Sequence, residues 1–169
     1  IATLFQDAQL SIGDTVVEGG NFMYGYKSIL LALLENGSSA QPAAMKPWGF
    51  YKDTPGRMNT IGDTNTGCRD RKALIAGTGG CHLSGPLFLD LFRQPRFLLS
   101  RTNLRLKLIP ADAKFALLAA KIGEGNALKE YSVEIQSAEL RVRHVLPSPS
   151  VLAAHAQGLK KHNALYPLN

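Results

Sequence analysis

Alternation of apolar and polar residues is the feature that most limits the folds open to this chain. Leu104, Leu106 and Leu108 alternate with basic residues before Pro110 ends the run. Because successive side chains of a strand point to opposite faces, this pattern predicts a half-buried antiparallel strand.

A second alternating segment, residues 131–142, predicts a longer strand. Its apolar residues change parity once, near Gln136-Ser137, and one inserted residue in a strand would produce such a change. The pattern therefore predicts a long, bent strand with a β-bulge and one polar side. The apolar residues of the two parities are Tyr131, Val133 and Ile135, followed by Ala138, Leu140 and Val142.

Further elements are expected on both sides of these segments. Residues 4–17 suit a strand with a tight reversal at Gly13-Asp14, and the apolar-rich run 81–92 is read as β, with Pro86 marking an edge or a bulge. Residues 24–34 carry apolar residues at helical spacing. A second helix is expected after Pro147, capped by Ser148 or Ser150. Several antiparallel strands with inserted helices favour a β-sandwich.

The segment 38–80 is rich in Gly, Pro, Ser, Thr and Asn, and it is long for a connection inside a compact domain. We expect a surface excursion pinned to the body by its aromatic residues Trp48, Phe50 and Tyr51. Residues 69–75 could add a helical turn or a short strand to it.

Composition excludes several classes of protein. Hydrophobic residues make up 45% and charged residues 19% of 169, which is typical of one globular domain. No uninterrupted apolar run reaches membrane-spanning length. The formal charge of +6 is spread along the chain, so direct nucleic-acid binding is not favoured. Cys68 and Cys81 suit free thiols in a reducing compartment. Without an initiator Met or a signal sequence, the chain is expected to be a fragment or a processed product.

Residues able to carry chemistry do not form a recognisable active site. The four histidines give no set of three ligands at metal spacing, and the glycine-rich stretch 77–80 lacks the Lys and Ser/Thr of a phosphate-binding loop. Asp90 lies among apolar residues, where a structural hydrogen bond or salt bridge is favoured over catalysis. We therefore expect no enzyme, no cofactor and no metal site.

Five segments in order resemble one protein family. They are 24–30 (YGYKSIL), 50–56 (FYKDTPG), 85–87 with 90–92 (GPL and DLF), 96–99 (RFLL), and 149–156 (PSVLAAHA) ending at Tyr166-Pro167. Their order and spacing are similar to those of the double jelly-roll (hexon-like) major capsid proteins of Polinton or Maverick elements and adintovirus-like viruses.

The resemblance implies a mainly β fold, an antiparallel jelly-roll β-sandwich with inserted helices and a long surface loop. Residues 1–147 would form part of a first jelly roll, with 38–80 as its surface excursion. Residues 148–169 would be a helix and linker toward a second jelly roll outside this sequence.

The resemblance also implies a structural function in the virion capsid, with synthesis and assembly inside the host cell. The partners would be two further copies of the chain in a trimeric pseudo-hexagonal capsomer, neighbouring capsomers, and minor capsid or penton proteins. Trp48, Phe50 and Tyr51 are candidate subunit contacts, with anchoring to their own chain as the alternative. Two other functions stay open, a jelly-roll module that binds a glycan or other ligand, and a basic nucleic-acid-binding protein.

Overall fold

The computed structural model of the chain describes residues 1–76, 79–118 and 131–168. Within them it has three strands, five α-helices and one 3-10 helix. In chain order these are β1 (Phe5–Ile12), β2 (Thr15–Glu18), α1 (Tyr24–Glu35), the 3-10 helix (Lys46–Trp48), α2 (Thr66–Ile75), α3 (Asp90–Arg93), β3 (Leu104–Pro110), α4 (Ala113–Ala116) and α5 (Pro149–Leu159).

The strands form one antiparallel sheet in the order β2-β1-β3. β1 and β2 are joined by a tight turn at Gly13, whose φ of 58° lies in the region that glycine adopts without a steric penalty. The turn is also tied to the third strand, because the Gly13 N–H donates to the Asn103 carbonyl at 2.9 Å. The predictions of a strand with a tight reversal at Gly13-Asp14 and of a half-buried strand at 104–108 are both confirmed.

The hydrophobic core lies between this sheet, α1 and the segment that leads into α3. Leu10 of the central strand and Met45 before the 3-10 helix are both 0% exposed. The predicted helix at 24–34 is confirmed, and it buries only its inner side. The buried apolar residues are Ala8, Leu10, Tyr24, Ala32, Met45, Phe88, Leu89 and Leu91.

The prediction of a mainly β, jelly-roll sandwich is wrong. The described residues contain one sheet of three strands, and more of them are helical than extended in strands. Residues 81–89, expected to be β, form no strand, although Phe88 and Leu89 are buried. Side chains from other elements accept hydrogen bonds from the backbone of this segment, in place of a neighbouring strand. The Tyr24 hydroxyl accepts from the Phe88 N–H at 3.2 Å, and the next helix begins at Asp90.

The long bulged strand predicted at 131–142 is also wrong. The structure assigns no strand to this segment, and every one of its residues is exposed. A strand needs a neighbour for its backbone groups. The central strand β1 already has a neighbour on each side, and no backbone hydrogen bond within the described residues reaches 131–142. The alternating pattern gives strand propensity without a partner.

The remaining expectations concern the helices and the excursion. The stretch 69–75 is helical as part of α2, and the 38–80 segment also holds the 3-10 helix. Gly77 and Thr78 of the glycine-rich stretch lie outside the described residues. Ser148 occupies the N-cap position of α5, which confirms the predicted helix start, but its side chain bonds to that of Ser150 and does not cap the helix. No helix in the described ranges is both long and apolar enough to cross a membrane.

Candidate subunit-contact surface

The three aromatic residues predicted to lie at a subunit contact follow a tight turn. Met45 is buried, and its carbonyl accepts from the N–H groups of Trp48 at 3.0 Å and Phe50 at 3.2 Å. Gly49 closes the turn with a φ of 81°, a conformation that few other residues adopt without strain. The turn therefore presents Trp48, Phe50 and Tyr51 together, each of them half-buried.

Trp48 packs on its own chain with part of its ring. Its centroid lies 6.0 Å from that of Phe88, with the ring planes at 80°, which is a favourable edge-to-face arrangement. Gly85 sits so close to the indole that a Cβ there would be 2.9 Å from Trp48 Cδ1. Phe50 also packs against the core. These contacts supply the intramolecular anchoring considered for Trp48 and Phe50, and both residues stay partly exposed.

Tyr51 leads into a loop that polar contacts hold in place. Arg71 of α2 donates to the Tyr51 carbonyl at 2.7 Å and pairs with the Asp53 carboxylate at 2.6 Å. Gly67 packs against the same loop, because a Cβ at Gly67 would lie 2.6 to 2.8 Å from Asp53 Oδ1 and from the Lys52 carbonyl group. Through these contacts α2 holds the segment that follows the aromatic residues in place.

Asn65, at the N-cap position of α2, organises the turn between the aromatic segment and that helix. Its side chain is 0% exposed, and its Oδ1 accepts from the Thr54 N–H at 3.1 Å. Its Nδ2 donates to the carbonyls of Arg57 at 3.0 Å and Thr60 at 3.2 Å. Sequence reasoning missed this residue, because an Asn among turn-forming residues gives no sign of which one is buried.

A charged cluster of Glu18, Lys27 and Asp90 connects three elements. The Lys27 ammonium lies 2.8 Å from Glu18 of β2 and 2.7 Å from Asp90 at the start of α3. The Glu18 carboxylate also accepts from the Asp90 N–H at 2.8 and 3.0 Å. The salt bridge expected for Asp90 is therefore present. Sequence reasoning missed its partners, because neither of the other two residues stands in an apolar run.

The electrostatics of this cluster favour the charged lysine. Burial alone would lower the pKa of Lys27, but hydrogen bonds and charges from Asp90 and Glu18 outweigh it and raise that pKa above its ordinary value of 10.5. Burial raises the pKa of the nearby Tyr24 hydroxyl, only partly offset by its hydrogen bond with Phe88. The two raised pKa values keep Lys27 charged and Tyr24 neutral at pH 7, which fits a structural role for both groups.

Asp7 is a second acidic residue near this cluster, and it is 0% exposed. Its carboxylate accepts from the Gly20 N–H at 2.9 and 3.2 Å and from Gln9 Nε2 at 3.0 Å. A cavity of about 60 Å³ lies between Asp7, Glu18, Tyr24 and Lys27. Its polar groups are already bonded to protein partners, which leaves the arrangement a structural one.

The histidines form no metal site in the described part of the chain. No group of three or more His, Cys, Asp or Glu side chains lies at ligand distance there. His155 and His162 do line one open depression of about 270 Å³ between α5 and Leu99. Its other walls are mostly apolar, so it offers few groups for polar recognition.

Apolar side chains are exposed over a long stretch near the end of the described residues. Residues 131–146 are all exposed, and they include Leu146 at 96%. α5 has no buried residue, and the outer side of α1 exposes Leu34 at 80%. Exposed apolar surfaces of this kind mark sites of contact with protein, membrane or ligand. Comparisons of the chain with protein-family models, with curated proteins and with solved structures found no match.

Proposed function

We propose that this chain is a structural protein of a virus-type capsid, and that it works by association with copies of itself. The observation that carries the proposal is the apolar surface of 131–146 and α5. Val142 is 60% exposed, Leu146 96% and Leu159 46%, within a stretch where almost every described residue is exposed. Large apolar side chains exposed in this number are a mark of protein–protein contact.

The ordered motifs give the proposal its capsid character. The five segments that resemble hexon-like major capsid proteins run from residue 24 to residue 167. Several of them hold the described structure together. Lys27 and Asp90 belong to two of the segments and form an ion pair, and Tyr166 of the last segment accepts from the Leu99 N–H at 3.1 Å. The proposal rests on these motifs and on the exposed surface, and it does not depend on a jelly-roll sheet.

The proposed assembly is a trimeric, pseudo-hexagonal capsomer that contacts neighbouring capsomers and minor capsid or penton proteins in an icosahedral shell. Catalysis has no part in the proposal. A shell subunit works through broad surfaces shared with its neighbours. In this scheme Trp48, Phe50 and Tyr51 belong to a subunit contact through the sides of their rings that the core leaves free.

The first test is the mass of the purified chain in solution. Light scattering during gel filtration should give three times the 18.3 kDa of one chain. Replacing Val142 and Leu146 with Ser should shift the mass toward the monomer, whereas replacing the exposed Lys160 with Ser is the matched control. A chain that stays monomeric at all concentrations, or one whose binding to DNA weakens steeply with salt without self-association, contradicts the proposal.

Trp48→Ala tests the aromatic contact separately. The substitution should lower thermal stability, because it removes the ring that packs on Phe88, and it should also lower the trimer fraction. Loss of thermal stability with an unchanged trimer fraction would assign Trp48 to anchoring within its own chain.

A further inference from the structure

The sheet has an open edge along β3. Strand order β2-β1-β3 places β3 at one side, paired only with β1. Gly13 bonds Asn103, and in an antiparallel pair alternate residues point their N–H and C=O groups toward the partner. Arg105 and Lys107 have the same parity as Asn103, so their backbone N–H and C=O groups point toward β1. Leu104, Leu106 and Leu108 direct their backbone groups outward, and no described backbone group bonds to them there.

The same chain carries a strand-forming segment that pairs with no strand among the described residues. Tyr131, Val133 and Ile135 alternate with polar residues, and aromatic and β-branched residues favour strands. The three apolar side chains are exposed by 43%, 39% and 41%. No backbone hydrogen bond of residues 131–136 is present within the described ranges. A free strand and a free strand edge are the two halves of a β-addition contact.

The side chains of the two halves are complementary. The leucines of β3 lie on the half-buried face, and Arg105 and Lys107 lie on the exposed face. A strand added at this edge with its apolar face beside the leucines places Glu134 on the same face as the two basic side chains. Opposite charges in neighbouring strands stabilise a pair, whereas like charges destabilise it. Ser132 and Gln136 fall on that polar face too.

We propose that residues 131–136 of one copy of the chain add as a strand to β3 of a second copy. Within the described residues of one chain, neither the segment nor the outer edge of β3 forms a backbone hydrogen bond with another strand. Because each copy offers one edge and one strand, the contact is heterologous, and three such contacts can close a ring. The inference rests on the proposed self-association and specifies one contact within it.

The test uses separately purified chains that each carry one cysteine in a Cys68→Ala, Cys81→Ala background. The two partners differ in length, so that a heterodimer and the two homodimers have different masses. Chains with Glu134→Cys are mixed with chains that carry Lys107→Cys or Arg105→Cys and are then oxidised. Since the two cysteines sit on different molecules, a disulfide-linked heterodimer reports an intermolecular contact. We expect the heterodimer with at least one of the two β3 variants. Asp14→Cys, in the exposed β1–β2 turn, is the matched control and should give none.

A second variant checks that strand pairing is responsible. Val133→Pro removes a backbone donor from the added strand, and it should reduce the heterodimer to the level of the Asp14→Cys control. It changes an exposed residue, so the folded body of the chain should keep its thermal stability.

The outcomes separate the two proposals. Self-association by light scattering with no heterodimer in either mixture overturns strand addition and leaves the proposed function standing. A third sample is one chain that carries both Glu134→Cys and Lys107→Cys. If this chain forms its disulfide while both mixtures give none, the segment folds back on its own edge, which also overturns the inference. A chain that is monomeric by light scattering overturns the proposed function along with it.

Discussion

Replacing Lys27 tests whether the Glu18–Lys27–Asp90 cluster holds the fold together. Lys27→Met keeps most of the side-chain volume but leaves two carboxylates beside each other, each only 13% or 14% exposed. Loss of one partner from a fully buried pair costs about 3–5 kcal/mol. An exposed pair contributes about 0–1 kcal/mol. Because the Lys27 side chain is 37% exposed, we expect an intermediate loss of about 1–2 kcal/mol in the free energy of unfolding.

The assay is urea unfolding near pH 7, with Lys72→Met as the matched control. Lys72 is exposed on α2 and forms no salt bridge within the described residues, so its replacement should change stability by less than about 0.5 kcal/mol. Equal effects of the two substitutions would refute the view that the cluster stabilises the fold.

The same cluster predicts a dependence on alkaline pH. The folded pKa of Lys27 is raised above 10.5, so its stabilising contribution is complete below the unfolded pKa and is lost as pH rises through the folded pKa. Tyr24, whose pKa is also raised, loses its contribution in the same direction above its ordinary pKa of 10.0. Above about pH 10.5 the parent chain should therefore lose more stability than Lys27→Met, which keeps only the tyrosine part. Parallel pH profiles would contradict this assignment.

Three further substitutions test the packing, each measured by urea unfolding. Leu10→Ala should lower stability by about 2–5 kcal/mol, because Leu10 is 0% exposed in the core. Gly67→Ala should lower it by about 1–3 kcal/mol, since the new methyl would overlap the loop opposite; Gly37→Ala, with nothing within 4 Å, is its control. Asn65→Ala should lower it by about 1–3 kcal/mol, because it leaves the Thr54 N–H and two carbonyls without partners. A loss below about 0.5 kcal/mol in any of the three would contradict its assigned contacts.

Local pattern predicted those elements whose partners are near in sequence or supplied by the described body. The β1–β2 reversal follows from its turn residues, and α1 follows from its helical spacing. β3 follows from strict alternation together with a free neighbour, β1. Pattern could not reveal that Lys27 joins Asp90 across 63 residues, or that Asn65 is the buried amide of its loop. Such contacts depend on the fold as a whole.

The failure at 81–92 has a different cause from that at 131–142. In 81–92 Phe88, Leu89 and Leu91 do reach the core, but the hydroxyl of Tyr24 and the carboxylate of Glu18 accept from backbone N–H groups that a strand would have given to a sheet. In 131–142 no such substitute exists among the described residues, and the side chains remain in water.

A strand pattern in an unpaired segment still carries information about partners. Alternation tells which face of a segment avoids water, and it does not tell which molecule supplies the neighbouring strand. For β3 the neighbour lies in the same chain. For 131–136 the outer side of β3 is a compatible edge, because Arg105 and Lys107 lie on the face that Glu134 would join. A prediction that fails for the single chain thus becomes a specific hypothesis about how two chains meet.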